Sequence, residues 1–318
     1  MTTYPRPSAA SSPGDALFHH PALLYTTEQD YLAGVGGFVR AEAAAGRPVL
    51  VAVPGPRLSL LRDALGTAYD DVTWVDMRQA GRNPGRTLSL LQDFADRHAA
   101  RRPSLVGELI WVGRTPAEAR EATRHEALIN LAFAGREATV LCPYDTALPE
   151  RILAQAPRTH PFVGDAAGYR HSPGYADPHT VCRDCDEALP EPDDPVVLRF
   201  AERDLADVRD AAGRWAEAAG LSPRRRTDWL LAVNEATGNS VRHGGGHGVL
   251  RLWRTADTVI AEARDDGRLT DPLVGRRRPD PLSPAGGRGV WMMHQLCDLV
   301  EIRALPTGLT VRLHLALD

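Results

Sequence analysis

Lysine is absent from these 318 residues: all 37 basic side chains are arginine. This excludes every mechanism that needs a lysine amine, including the phosphate-binding lysine of a P-loop and the strand lysine of the common protein kinases. Cysteine is scarce too. Cys142, Cys182, Cys185 and Cys297 are too few to staple a chain this long, so a reducing cytoplasm is the expected setting. No apolar run reaches the roughly 18 residues that a membrane-spanning helix needs. No charge of one sign dominates: the net of −4 gives no reason to expect direct nucleic-acid binding. The opening MTTYPRPSAASSPGDA has no apolar stretch of signal-peptide type, and residues 1–16 are expected to be a disordered tail.

What is present suits a globular protein of two domains: 43% hydrophobic and 25% charged residues. From 17 to 180, short β-type runs alternate with helical patterns. The runs are 48–53, 72–76, 108–112 and 139–142; the helices are 27–45, 57–65, 87–100 and 116–134. This alternation predicts an α/β domain with a mainly parallel sheet. The turn after the first run, VAVPGPRLSLL, lacks the glycine cradle and GK[ST] ending of a phosphate loop. Asp76 and Asp145 fall near strand ends, where ligands of α/β sheets bind. His125-Glu126, inside a helix, reads as either a packed pair or a phospho-accepting histidine. FHHPALLYTTEQDYLAGVGGFVRAEAAAGRPVLVAVP, with VDMRQAGRNPGR and RHEALINLAFAG further on, resembles the MEDS sensory domain. The resemblance implies a small-molecule ligand and assigns no catalytic residue.

Residues 181–195, VCRDCDEALPEPDDP, are acidic and proline-rich and read as a linker. Cys182 and Cys185 form a CxxC. They are two unrelated thiols, a redox switch, or half of a zinc clip with His171 and His179 as the nearby candidates.

The domain from 196 to 318 holds three pieces that converge. The first is WLLAVNEATGNSVRHGGGHG, an amphipathic helix ending at a glycine cluster. Glu235 and Asn239, four residues apart, share one face of it. An acid beside an amide is either solvated surface or an oxygen ligand for Mg²⁺ with a base next to it. The second is Asp265-Asp266-Gly267 at a strand end, where a carboxylate can accept an exocyclic amine and glycine lets a ring approach. The third is Gly287-Arg288-Gly289 at a helix start, where backbone N–H groups bind phosphate without lysine. A proline-rich loop, 268–287, lies between the last two.

This order resembles the GHKL ATP-binding domain, the Bergerat fold, and within it the anti-sigma-factor serine/threonine kinases. The resemblance implies an α+β domain with helices on one face of a mixed sheet. It also implies ATP and Mg as cofactors, a sigma factor and a STAS-type antagonist as partners, and dimers among relatives. Carried onto this sequence, it makes Glu235 the general base, Asn239 the Mg²⁺ ligand and His243 a neighbour of the phosphates. Asp265 and Gly267 would hold adenine, Gly287 and Gly289 would be the second glycine box, and Thr310, in GLTV, the threonine after the family's last glycine motif; the 268–287 loop would be the ATP lid. One departure is Leu269, where the family often has a second glycine. The implied function is a regulatory kinase of signal transduction and transcription. A non-catalytic ATP-dependent partner-switching module and a sensor histidine kinase are the alternatives; 196–220 contains no histidine, which counts against the last.

Overall fold

The computed structural model describes residues 17–69, 71–279 and 287–317. The expected tail, 1–16, and lid residues 280–286 lie outside them. The chain divides into two compact units, the first ending at Val181 and the second beginning at Cys182.

The first unit's strands are β1 (Phe18–His19), β2 (Pro21–Tyr25), β3 (Val49–Val53), β4 (Thr73–Asp76), β5 (Ser104–Gly107), β6 (Ala138–Asp145), β7 (Phe162–Asp165) and β8 (Gly168–His171). Its helices are α1 (Glu28–Tyr31), α2 (Gly37–Ala44), α3 (Gly55–Leu65), α4 (Met77–Ala80), α5 (Thr87–Arg97), α6 (Pro116–Ala132), α7 (Glu150–Leu153) and α8 (Ala156–Thr159); α9 (Pro178–Asp184) crosses into the second unit. The strand order is β4-β3-β5-β6-β2-β7-β8, with β1 also on β6. All pairs are parallel except the β7–β8 hairpin. This is the expected α/β sheet. Val49–Val53 is buried at every position, as a strand with helices on both faces must be.

The third strand differs from expectation. It is Ser104–Gly107, not 108–112. Its ladder to β3 ends at Gly107, paired with Ala52. Beyond that the chain leaves the sheet, and Arg114 Nε donates to the Leu109 carbonyl at 2.7 Å. Leu109 and Ile110 are buried without being strand residues.

The second unit adds α10 (Leu205–Ala218), α11 (Pro223–His243) and α12 (Arg288–Leu296). Its sheet, ordered β12-β13-β11-β10-β9, is formed by β9 (Val196–Ala201), β10 (His247–Arg254), β11 (Thr258–Asp265), β12 (Leu299–Leu305) and β13 (Gly308–Ala316). The α+β layering is as expected, but every strand pair is antiparallel where a mixed sheet was anticipated. The tight hairpin connections β10–β11 and β12–β13 force opposite directions. Trp229, fully buried, anchors the core: it stacks on Trp215 at 5.8 Å and donates to the Ala212 carbonyl at 3.3 Å.

The other face of this sheet is polar and paired. Glu262 accepts from Arg312 at 2.6 Å and pairs with Arg264 at 2.7 Å; Glu301 pairs with Arg303 at 2.8 Å and His314 at 3.0 Å. Residues of the expected linker lie on it. Glu191 pairs with Arg251 and Arg264, the Pro190 carbonyl accepts from Arg312 at 2.7 Å, and Asp186 Oδ1 accepts from Ala304 N at 3.3 Å. The acidic stretch is held by arginines of the sheet rather than spanning free.

Candidate functional site

α11 begins where Ser222 Oγ accepts from Arg225 N at 3.4 Å, with Pro223 in the first turn, and ends at Gly244. Six of its buried residues, Trp229, Ala232, Val233, Ala236, Thr237 and Ser240, form one helical stripe, and buried Gly238 lies off it. Glu235, Asn239 and Arg242 therefore share the adjoining stripe. Arg242 Nη2 donates to Asn239 Oδ1 at 3.0 Å and stands 3.9 Å from Glu235 Oε2. Glu235 is 24% exposed and Arg242 58%, so the guanidinium is free to swing out while the carboxylate is half enclosed.

The first turn of α12 meets this stripe. Gly287, its N-cap, has φ 100°, a backbone that favours glycine. A Cβ on Gly289 would stand 2.3 Å from Glu235 Oε2 and 3.3 Å from Asn239 Nδ2, so the helix start lies directly against the ends of both side chains. Asp265 closes β11 beside the same helix. Its Oδ2 accepts from Ser240 Oγ at 2.6 Å and its Oδ1 from Gly267 N at 2.8 Å. A Cβ on Gly244 or Gly267 would fall 2.3 Å from Asp265 Cγ or 2.6 Å from its Oδ1. Glu235, Asn239 and Gly289 thus meet at the junction of α11 and α12, while Gly287 caps α12 against Val274 and Gly275. Asp265 and Gly267 meet α11 one residue further on, through Ser240.

Two expected members stand apart. His243 is exposed in the last turn of α11. Thr310 pairs with Arg264 and Arg303 and, by strand alternation, shares the polar face with Arg312. Asp265, which reaches Ser240 of α11, is on the opposite face, and Leu309 is its register partner. Of the lid, Leu269 packs on the unit's core, and a Cβ on Gly275 would stand 2.3 Å from Val290 Cγ1 of α12.

In the first unit, Asp145 joins a group at the C-terminal ends of the parallel strands. Glu108, fully buried just past β5, accepts from Tyr25 Oη at 3.0 Å and Tyr31 Oη at 3.2 Å. Arg57 stacks 5.2 Å and 5.1 Å from those rings and pairs with Asp145 at 3.3 Å. Burial pushes the Glu108 carboxyl up to about 7, against the tyrosine bonds and Arg57, which pull it down. Burial likewise raises both tyrosine hydroxyls. Asp76, the other strand-end carboxylate, caps α4 by accepting from Arg78 N at 2.9 Å.

His125 is buried, with Nδ1 2.7 Å from the Glu121 carbonyl. That position suits packing, not phosphate acceptance. Cys182 and Cys185 are buried and form no disulfide, and among the described residues His171 and His179 do not join them in a ligand cluster. Four residues that no spacing singled out do converge: His20, Glu126, Cys142 and His160.

Each unit matches a known domain family. Residues 19–161 match the family model described as MEDS, the methanogen/methylotroph DcmR sensory domain; residues 198–315 match the histidine kinase-like ATPase domain. The chain joins a MEDS domain at its N-terminus to a GHKL-type ATPase domain at its C-terminus. A solved structure of the RsbU and RsbW domains of Rv1364c from Mycobacterium tuberculosis matches with 19% identity and a TM-score of 0.30. That match covers 39% of this chain and 32% of the solved one, and it bears on no residue's role here. No curated protein matches the sequence. No helix among the described residues is long and apolar enough to cross a membrane.

Proposed function

We propose that this chain is a regulatory ATP-binding protein that holds a sigma factor and phosphorylates a serine or threonine of a STAS-type antagonist, under control of the MEDS domain. The observation that carries the reading is the close approach of Gly289 to both Glu235 and Asn239. It sets a helix N-terminus, a carboxylate and an amide around one point without any lysine. The NEATGNSVRHG resemblance supports the choice of kinase branch.

ATP would supply the transferable phosphoryl group, and Mg²⁺ the charge neutralisation. Asn239 Oδ1 offers the cation a hard oxygen once Arg242 swings out. Gly287 and Gly289 let phosphate oxygens reach the N–H groups of α12. Asp265 keeps acceptor lone pairs for an adenine amine after its bonds to Ser240 and Gly267 N, and Gly267 and Gly244 leave its flank open. Glu235 Oε2 would take the proton of the attacking hydroxyl. The Glu108 group, at the strand ends where α/β ligands bind, suits the small-molecule ligand of the first unit.

A second reading has its own support. Leu269, packed on the core where a glycine hinge would otherwise lie, favours an ATP-binding module that switches partners without turnover. Incubation with labelled ATP and candidate antagonists separates the two. Transfer to a protein serine that is lost in Glu235→Ala, with nucleotide binding retained, supports the kinase. Binding without transfer supports the switch.

A further inference from the structure

We infer that His20, Glu126, Cys142 and His160 form a closed four-ligand site for a zinc-type divalent cation inside the MEDS domain. The inference stands independently of the nucleotide site. The four residues come from separate places: His20 between β1 and β2, Glu126 on α6, Cys142 on β6 and His160 at the end of α8. All are buried, none more than 1% exposed, and their donor atoms lie within 4.8 Å of one another.

The edges of the cluster fit a tetrahedron. His20 Nε2 is 3.3 Å from Cys142 Sγ and 3.6 Å from Glu126 Oε2, and His160 Nε2 is 3.4 Å from that same oxygen. Metal–ligand bonds of about 2.0–2.3 Å in tetrahedral array put donors roughly 3.3–3.8 Å apart.

The hydrogen atoms are arranged for a cation as well. Asn130 Nδ2 donates to the Thr159 carbonyl at 2.8 Å and the Ala127 carbonyl at 3.3 Å, which leaves its Oδ1 to face His20 Nδ1 at 3.0 Å. An amide oxygen only accepts, so His20 carries its proton on Nδ1. His160 Nδ1 is 2.9 Å from the Ala156 carbonyl, again an acceptor, so its proton is fixed there too. The His160 Nε2 lone pair therefore faces Glu126 Oε2, while His20 Nε2 accepts from Cys142 Sγ at 3.3 Å and stands 3.6 Å from the same oxygen. That oxygen and His160 Nε2 find no hydrogen-bond partner in the protein. Buried lone pairs facing one another repel, and an unsatisfied buried carboxylate oxygen costs several kcal/mol in order of magnitude. One dication removes both costs. With Glu126 ionised and Cys142 as thiolate, its proton released on binding, a dication and two neutral imidazoles give a site of zero net charge. Asn130 and the Ala156 carbonyl are the outer partners that metal-ligating histidines characteristically have.

The donor set of two imidazoles, one thiolate and one carboxylate excludes magnesium and calcium and suits zinc or cobalt. Four protein ligands leave no open position, so the ion ties β1–β2, α6, β6 and α8 together rather than turning over a substrate.

The test uses the full chain, grown with zinc or cobalt and purified without chelator. About one ion per chain is expected, with an absorption-edge spectrum showing one sulfur and three nitrogen or oxygen neighbours. The cobalt form is expected to show a thiolate-to-metal charge-transfer band that Cys142→Ser removes and the Cys182→Ser/Cys185→Ser double variant keeps. Metal below about a tenth of an ion per chain overturns the site. So does a spectrum with two or more sulfurs, or a band lost only in the double variant. The wild-type spectrum decides the matter even if Cys142→Ser fails to fold.

Discussion

Replacing Glu108 with glutamine should abolish a pH dependence built into the first unit. The carboxyl is raised from 4.5 to about 7, chiefly by burial. Between those values the folded chain holds a proton that the unfolded chain has lost. Stability therefore falls as pH rises through this window and is lowest above it. At about 1.4 kcal/mol per pH unit, the full loss is about 3 kcal/mol. The groups facing Glu108 are Tyr25 of β2, Tyr31 of α1, Arg57 of α3 and Asp145 of β6, and all of them remain in Glu108→Gln. The assay is urea unfolding of the full chain at pH 5 and pH 8, with pulsed hydrogen exchange of the β3 and β5 peptides reporting the first unit. The stability of Glu108→Gln relative to wild type should grow by about 2–3 kcal/mol from the lower to the higher pH. A difference that stays flat, or that shrinks, refutes the assignment of a neutral buried Glu108.

Three further outcomes are expected. Gly289→Val sets a branched side chain where a Cβ already stands 2.3 Å from Glu235 Oε2. ATP affinity in a fluorescent-nucleotide competition assay should fall at least about tenfold, or ~1.4 kcal/mol. Thr310→Ala, on the polar face of the sheet, should change ATP affinity by less than about twofold in the same assay. Trp229→Ala should destabilise the second unit by about 3–5 kcal/mol in urea, since it removes a fully buried indole together with its bond to the Ala212 carbonyl.

The second unit's landmarks were legible: α11 ends at its glycine cluster, Asp265 closes a strand and Gly287 caps a helix, because amphipathic spacing and glycine stops signal locally. The first unit was less legible. β2 opens with a proline, and β7 and β8 are four residues each, too short to show alternation. The 108–112 run is apolar because Leu109 and Ile110 are buried in a loop, which hydrophobicity alone cannot tell from a strand. Glu235, Asn239, Asp265, Gly267, Gly287 and Gly289 sit on short motifs, whereas the sheet face that Thr310 takes depends on register rather than on a motif. The His20 cluster left no trace either: its members are spread from residue 20 to 160, and only the parallel sheet brings them together. The CxxC, the one metal-like spacing in the sequence, gathers no further ligands among the described residues.

The most direct test of the nucleotide site is calorimetric titration of the full chain with ATP and Mg²⁺, beside Asp265→Asn. Wild type should bind one nucleotide per chain, more tightly with Mg²⁺ than without. Asp265→Asn, which turns one acceptor into a donor, should bind at least about tenfold more weakly. No binding by wild type at millimolar ATP, or equal affinity in Asp265→Asn, would contradict a nucleotide held by Asp265 in this fold.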